Sequence, residues 1–210
     1  MSDPEAYAIL TRAPVIPVLT IQDFGTAVPL AMALREGGLT VIEVTLRTDA
    51  ALAAIAAIAA AVPGCIVGAG TVLRAADIDA AIDAGAKFLV SPGTSEALTQ
   101  AFIESPVPVL PGCATVSEAM ALADMGFEVL KFFPAEASGG VSWLKAVAAP
   151  LPHLRFCPTG GIDARNARDY LALPNVMAVG GSWMVPKDAI ALGDYAPVMA
   201  LAREAAGLRG

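Results

Sequence analysis

Three side chains interrupt apolar stretches in a way that suggests chemistry. Lys131 stands inside FEVLKFFPA (127–135), where every immediate neighbour is apolar. Lysine is seldom placed among such neighbours without a use or an escape route. The chain has only four lysines, and Lys87, Lys145 and Lys187 fall at a junction, in a helical stretch and after Pro186, all read as surface positions. A lysine kept out of water holds its charge less well, and a neutral amine can attack a carbonyl to give a Schiff base. A snorkelling lysine at a strand end is the alternative. In TVIEVTLRT (40–48), Glu43, Thr45 and Arg47 share parity, and Ile42, Val44 and Leu46 take the other face. If the apolar set packs against helices, Glu43 and Arg47 point inward, where both are costly unless paired or used. A buried structural ion pair is the alternative there.

Two glycine clusters add a third component: Thr159-Gly160-Gly161 and Gly180-Gly181-Ser182. Glycine lets backbone N–H groups approach an anion closely, and the hydroxyls add donors. Alone, either cluster is explained as a turn. Together with an amine, a carboxylate and a guanidinium they suit one reaction. Arg47 holds a substrate carboxylate, Lys131 forms an iminium with the neighbouring ketone, Glu43 moves protons, and the glycines hold a phosphate. A phosphorylated 2-oxo acid cleaved as an aldol fits, with no metal or other cofactor.

What is missing narrows the field further. A single histidine, His153, excludes sites built on several imidazoles, and it lies in the loop Pro150–Leu154, on the side of a barrel that serves stability. Cys65, Cys113 and Cys157 form no CxxC pair and read as reduced, buried thiols of a cytoplasmic protein. A net charge of −7 without a basic run argues against nucleic acid as a partner. Apolar residues make up 56%, yet the most apolar stretch, 50–62, ends at Pro63-Gly64 and is too short for a bilayer. The N-terminal MSDPEAYAIL carries acids where a signal peptide has a basic region.

The elements that must position these residues alternate along the chain. Short β-branched runs are expected at 15–21, 41–46, 65–70, 88–91, 107–110, 129–133, 155–157 and 176–179. Helical spacing fills 23–36, 50–61, 75–84, 95–104, 116–125, 139–148, 163–172 and 188–206, with a further stretch at 3–12. Strands separated by helices imply parallel pairing, and eight such units imply a single-domain (β/α)8 TIM barrel over 1–210 with a short N-terminal helix. An open doubly wound sheet is the competing topology. In a barrel the polar strand ends form the site. Phosphate sites commonly follow strands seven and eight, where the two glycine clusters fall. Gly68-Ala69-Gly70-Thr71, Ser91-Pro92-Gly93-Thr94 and Pro111-Gly112-Cys113 end the middle strands, and turn chemistry explains them. Thr71 is their best polar candidate.

EVTLRT (43–48), VGAGTV (67–72), KFFPAE (131–136), FCPTGGI (156–162) and GGSW (180–183) together resemble the bacterial 2-keto-3-deoxy-6-phosphogluconate (KDPG) aldolases, and the resemblance runs through essentially the whole chain. It implies a class I aldolase of the Entner–Doudoroff pathway that yields pyruvate and glyceraldehyde 3-phosphate, in some members also cleaving 4-hydroxy-2-oxoglutarate. By the same resemblance Lys131 is the Schiff-base lysine and Glu43 the acid/base. Arg47 and Thr71 bind the pyruvyl carboxylate, and Phe133 and Pro92 line the pocket. Thr159, Gly160, Gly161, Gly181 and Ser182 surround the phosphate, and the assembly is a homotrimer. Three other readings stay open: an aldolase for the C4 epimer, a phosphate-binding barrel isomerase or epimerase, and a sugar-phosphate sensor. The lysine argues against the isomerase, and two inward ionisable groups argue against the sensor.

Overall fold

The computed structural model describes residues 4–209. Asp3, the first residue of the N-terminal helical stretch, lies outside the described residues. The strands β1 (Val15–Leu19), β2 (Val41–Thr45), β3 (Ile66–Gly70), β4 (Leu89–Val90) and β5 (Val109–Leu110) follow in chain order, then β6 (Gly112–Cys113), β7 (Val129–Phe132), β8 (Arg155–Pro158) and β9 (Val179–Gly181). All pair in parallel. Six form a sheet in the order β5-β4-β3-β2-β1-β9, and β6-β7-β8 form a second. Isolated parallel bridges join Phe156 to Val176 and Thr159 to Gly180. The fold is therefore α/β, with curled parallel sheets.

The helices between them are α1 (Pro4–Leu10), α2 (Ala27–Glu36), α3 (Ala51–Ala61), α4 (Ala75–Asp83) and α5 (Glu96–Ile103). They continue as α6 (Val116–Asp124), α7 (Gly140–Val147), α8 (Ala167–Leu171), α9 (Lys187–Ala191) and α10 (Ala196–Ala206). Local chemistry sets several starts. Ser95 caps α5 by accepting from the Leu98 amide at 3.3 Å. At α6, Thr115 accepts from the Glu118 amide, and the Glu118 carboxylate returns to the amides of Ala114 and Thr115 at 2.8 and 3.0 Å. That is a complete capping box.

Several expected elements differ. The helix expected at 163–172 forms only at Ala167–Leu171, and that expected at 23–36 begins as a 3-10 turn at Phe24–Thr26. Three more differ for local reasons. The run 188–206 is two helices, because Gly193 adopts φ +66° and Asp194 caps the Ala196 amide at 3.1 Å. The fifth strand is shifted and broken at Pro111, which has no N–H to give a ladder; its carbonyl still accepts from the Lys131 amide at 3.0 Å. The eighth strand pairs regularly only at Val179–Gly181, since Val176 makes just a bridge to Phe156.

Parity decides what each strand shows to the inside. One apolar cluster joins Ile16, Val41, Phe88, Val90, Leu110, Val129 and Cys157 with Ala6, Ile9 and Leu10 of α1. It thus draws on both sheets and is closed by the N-terminal helix. Burying Ile9 and Leu10 contributes about 1.5–3 kcal/mol each. Two residues further along the same faces stand Val18, Glu43, Lys131 and Thr159. The opposite faces, such as Val15, Ile42, Val44, Leu130 and Phe156, pack into the larger cluster shared with the helices.

Candidate functional site

Lys131 and Glu43 come from strands 88 positions apart and meet on the inner face. Lys131 Nζ donates to Glu43 Oε1 at 3.1 Å and Oε2 at 3.4 Å, and the two residues are only 5% and 4% exposed. The carboxylate therefore pairs with the lysine, and the expected alternative pair with Arg47 does not form. Gly70 makes room for it: a Cβ there would overlap the Glu43 carboxylate. Lys131 Nζ also sits 5.5 Å from the Phe133 ring centroid, over an aromatic face that favours a cation.

Thr45, between Glu43 and Arg47, donates to the Leu19 carbonyl at 3.0 Å and contacts the Thr20 hydroxyl at 2.9 Å. This locks the end of β2. Arg47 follows the strand and donates through Nε to Thr71 Oγ1 at 2.9 Å. Its two terminal nitrogens remain for a bidentate grip on a carboxylate. Thr71 has φ +60°, the single non-glycine residue in the left-handed region among the described residues. Such a conformation costs energy and is retained where a side chain must be aimed.

A cavity of about 820 Å³ opens on this pair. Its walls include Arg47, Lys131, Phe133, Thr159, Gly160, Gly161, Gly181 and Ser182. Glu43 and Thr71 stand behind Lys131 and Arg47. Pro92 is not brought to the wall; it packs where a Cβ on Gly112 would strike its backbone.

The loop 159–162 is turned outward by its own hydrogen bonds. The Thr159 and Gly160 carbonyls accept from the amides of Ala135 and Glu136 at 2.8 and 3.1 Å, and the Gly161 carbonyl accepts from Asn166 Nδ2 at 3.0 Å. Gly160 and Gly161 take φ +101° and +76°, open to glycine without strain. Among the described residues, the amides of Gly160, Gly161, Ile162 and Ser182 have no acceptor. Consecutive outward amides of this kind form an anion-binding concavity.

Sequence reasoning missed several polar wall residues, Gln22, Asp23 and Thr26 among them. Lys187, taken as a plain surface residue, lies on the cavity wall, as does Thr20 at the end of β1. The closeness of Lys187 to Ser182 was the available signal. His153 is exposed in the turn before β8, as expected.

None of the cysteines lines the cavity, and burial disfavours their thiolate forms. All three are free thiols, and burial pushes Cys113 and Cys157 up to about 12 and Cys65 to about 11. At pH 8 a thiol at about 12 is roughly 10⁻⁴ thiolate, against about a quarter for free cysteine. Native protein treated with iodoacetamide at pH 8 should remain unmodified at Cys113 and Cys157 by mass spectrometry, and react at all three after denaturation. Native labelling of either at the rate of free cysteine would contradict this placement.

A family model described as KDPG and KHG aldolase matches residues 7–201. KHG/KDPG aldolase of Escherichia coli K12 is 53% identical over 200 residues, 95% of this chain and 94% of that one. Among solved structures, KDPG aldolase from Legionella pneumophila, with pyruvate captured as a covalent carbinolamine, superposes with TM-score 0.94 and 42% identity, covering 97% of this chain and 98% of that one. The Zymomonas mobilis ZM4 2-keto-3-deoxy-6-phosphogluconate aldolase with 3-phosphoglycerate superposes with TM-score 0.92 and 45% identity, covering 97% and 96%.

Proposed function

The chain belongs to the KDPG and KHG aldolase family, and on that premise we infer that it cleaves 2-keto-3-deoxy-6-phosphogluconate to pyruvate and glyceraldehyde 3-phosphate through an imine on Lys131. The observation that carries this reading is the buried contact of Lys131 Nζ with Glu43 Oε1 at 3.1 Å, beside a cavity walled by both Arg47 and the glycine loops.

The reaction follows from these positions. Arg47, steadied by Thr71, grips the substrate carboxylate and presents the adjacent ketone to Lys131. Nζ attacks C2, and the carbinolamine loses water to give the iminium. The C3–C4 bonding electrons then flow into the iminium, leaving an enamine, while Glu43 takes the C4 hydroxyl proton and the aldehyde departs. Glu43 returns a proton to C3, and water hydrolyses the pyruvyl imine. The amides of Gly160, Gly161 and Ser182, the Thr159 and Ser182 hydroxyls, and the Lys187 ammonium at the wall suit the phosphate. Phe133 packs beside the reacting lysine, and Pro92, packed against Gly112, is assigned to the pocket by the family resemblance. The L. pneumophila carbinolamine supports the imine route, which needs no metal. Among the described residues no three His, Cys, Asp or Glu side chains group as a metal site.

The two sheets are read as arcs of one (β/α)8 barrel in one domain over 1–210. In support, β5 and β6 flank Pro111 as pieces of one strand, and the bridges at Phe156 and Thr159 tie β8 to the β9 segment. A cytoplasmic homotrimer belongs to the same reading. Val116 and Met120, one turn apart on α6 and both exposed, offer apolar surface for such an interface. Among the described residues no helix is long and apolar enough to cross a membrane.

Borohydride reduction in the presence of pyruvate tests the central claim. The peptide carrying Lys131 should gain the mass of a reduced pyruvyl adduct. No adduct, or one on Lys87, Lys145 or Lys187, would overturn the assignment.

A further inference from the structure

Beside the glycine loop lies a pair that the reaction does not use. Tyr170 of α8 is fully buried, and its hydroxyl donates to Glu136 Oε1. Burial, then the neighbouring carboxylate, hold the Tyr170 hydroxyl above its ordinary range, so it stays protonated and donating. Gly140 leaves room for it: a Cβ there would stand 2.9 Å from the Tyr170 oxygen. Glu136 hangs on the loop itself. Its amide donates to the Gly160 carbonyl at 3.1 Å, and its Cγ and Cβ lie 2.6 and 2.7 Å from where a Gly161 Cβ would be. Neither Tyr170 nor Glu136 lines the cavity.

This places an anionic side chain against Gly161, in a loop whose amides at Gly160, Gly161 and Ile162 have no acceptor among the described residues. Those amides can donate to any anion within reach. A carboxylate rooted against Gly161 needs only side-chain rotation to become a competitor for the substrate phosphate. We propose that Tyr170 is a positioning residue for phosphate recognition: its hydroxyl holds the Glu136 carboxylate turned away from the loop, so that the amides stay open for the substrate. The inference rests on the reading of loop 159–162 as the phosphate site.

Tyr170→Phe, Glu136→Gln and the double variant test it, each assayed with 2-keto-3-deoxy-6-phosphogluconate and with unphosphorylated 4-hydroxy-2-oxoglutarate, alongside thermal melts. Phenylalanine keeps the buried ring and removes only the donor. Tyr170→Phe should raise KM for the phosphorylated substrate about tenfold, the scale of one charge-assisted hydrogen bond, with kcat unchanged at saturation. Its kcat/KM for the unphosphorylated substrate should stay at the wild-type value. Adding Glu136→Gln should restore KM, because the neutral amide competes poorly. A merely structural tyrosine would impair both substrates alike, and the second substitution would not rescue it; either result overturns the proposal. Failure of the phosphate reading itself shows separately in the wild type, where inorganic phosphate would then fail to compete with the phosphorylated substrate.

Discussion

Lys131→Met should abolish turnover, lowering kcat by at least about 10⁴-fold, and should abolish borohydride trapping of pyruvate with it. The covalent step has no substitute: Lys87 and Lys145 do not reach the cavity wall, and among the described residues Lys187 has no carboxylate partner comparable to Glu43. Methionine matches the lysine stem in length and polarity, so packing against Phe133 is kept. It does leave Glu43 buried without its cation, which costs on the order of 3 kcal/mol where such a charge stays unpaired. A lowered melting temperature is therefore expected beside the lost activity. Lys131→Arg separates the two effects, because guanidinium restores a cation beside Glu43 but forms no imine. It should recover stability toward wild type and remain inactive. Measurable turnover with trapping in either variant would remove Lys131 from the covalent role.

Lysine at 131 was legible because a charged residue among apolar strand neighbours is rare and the chain offers few alternatives. Parity made Glu43 and Arg47 legible, since a strand turns alternate residues to one face. Their partners were not legible. Local spacing placed Glu43 nearest to Arg47, whereas the fold gives Glu43 to a lysine 88 positions away and Arg47 to Thr71. Contacts across a curled sheet depend on register between strands, which no local pattern encodes. The same limit hid Lys187, whose approach to the glycine loops follows from how the chain turns after Ser182. The boundaries that failed have local causes: Pro111 breaks a strand, and Gly193 with Asp194 breaks a helix. Each was visible as a residue type, but tertiary pairing decided which breaker took effect.

Glu43→Gln is expected to lower kcat by about 10²–10⁴-fold while pyruvate can still be trapped on Lys131. Glutamine is isosteric, so it fits the space left by Gly70 and keeps an oxygen acceptor facing Nζ. On the proposed mechanism, what it loses is the capacity to take the C4 hydroxyl proton and to protonate the enamine at C3. On the same mechanism imine formation depends on the amine and on carboxylate binding by Arg47, both retained, so KM should change little while kcat falls. The C3 step can be read apart from cleavage. In deuterium oxide the wild type should exchange the methyl protons of pyruvate through the enamine, and Glu43→Gln should lose that exchange roughly in parallel with kcat. If exchange survived while cleavage failed, a second group would have to serve C3, and Glu43 would be confined to the hydroxyl. If turnover stayed at the wild-type level, Glu43 would be only the counter-ion that its contact with Lys131 shows in the resting structure. The two carboxylate roles, holding a buried lysine before substrate arrives and moving protons afterwards, are compatible because forming the imine takes the amine into a covalent bond. The carboxylate is then free to face the carbon and hydroxyl that react.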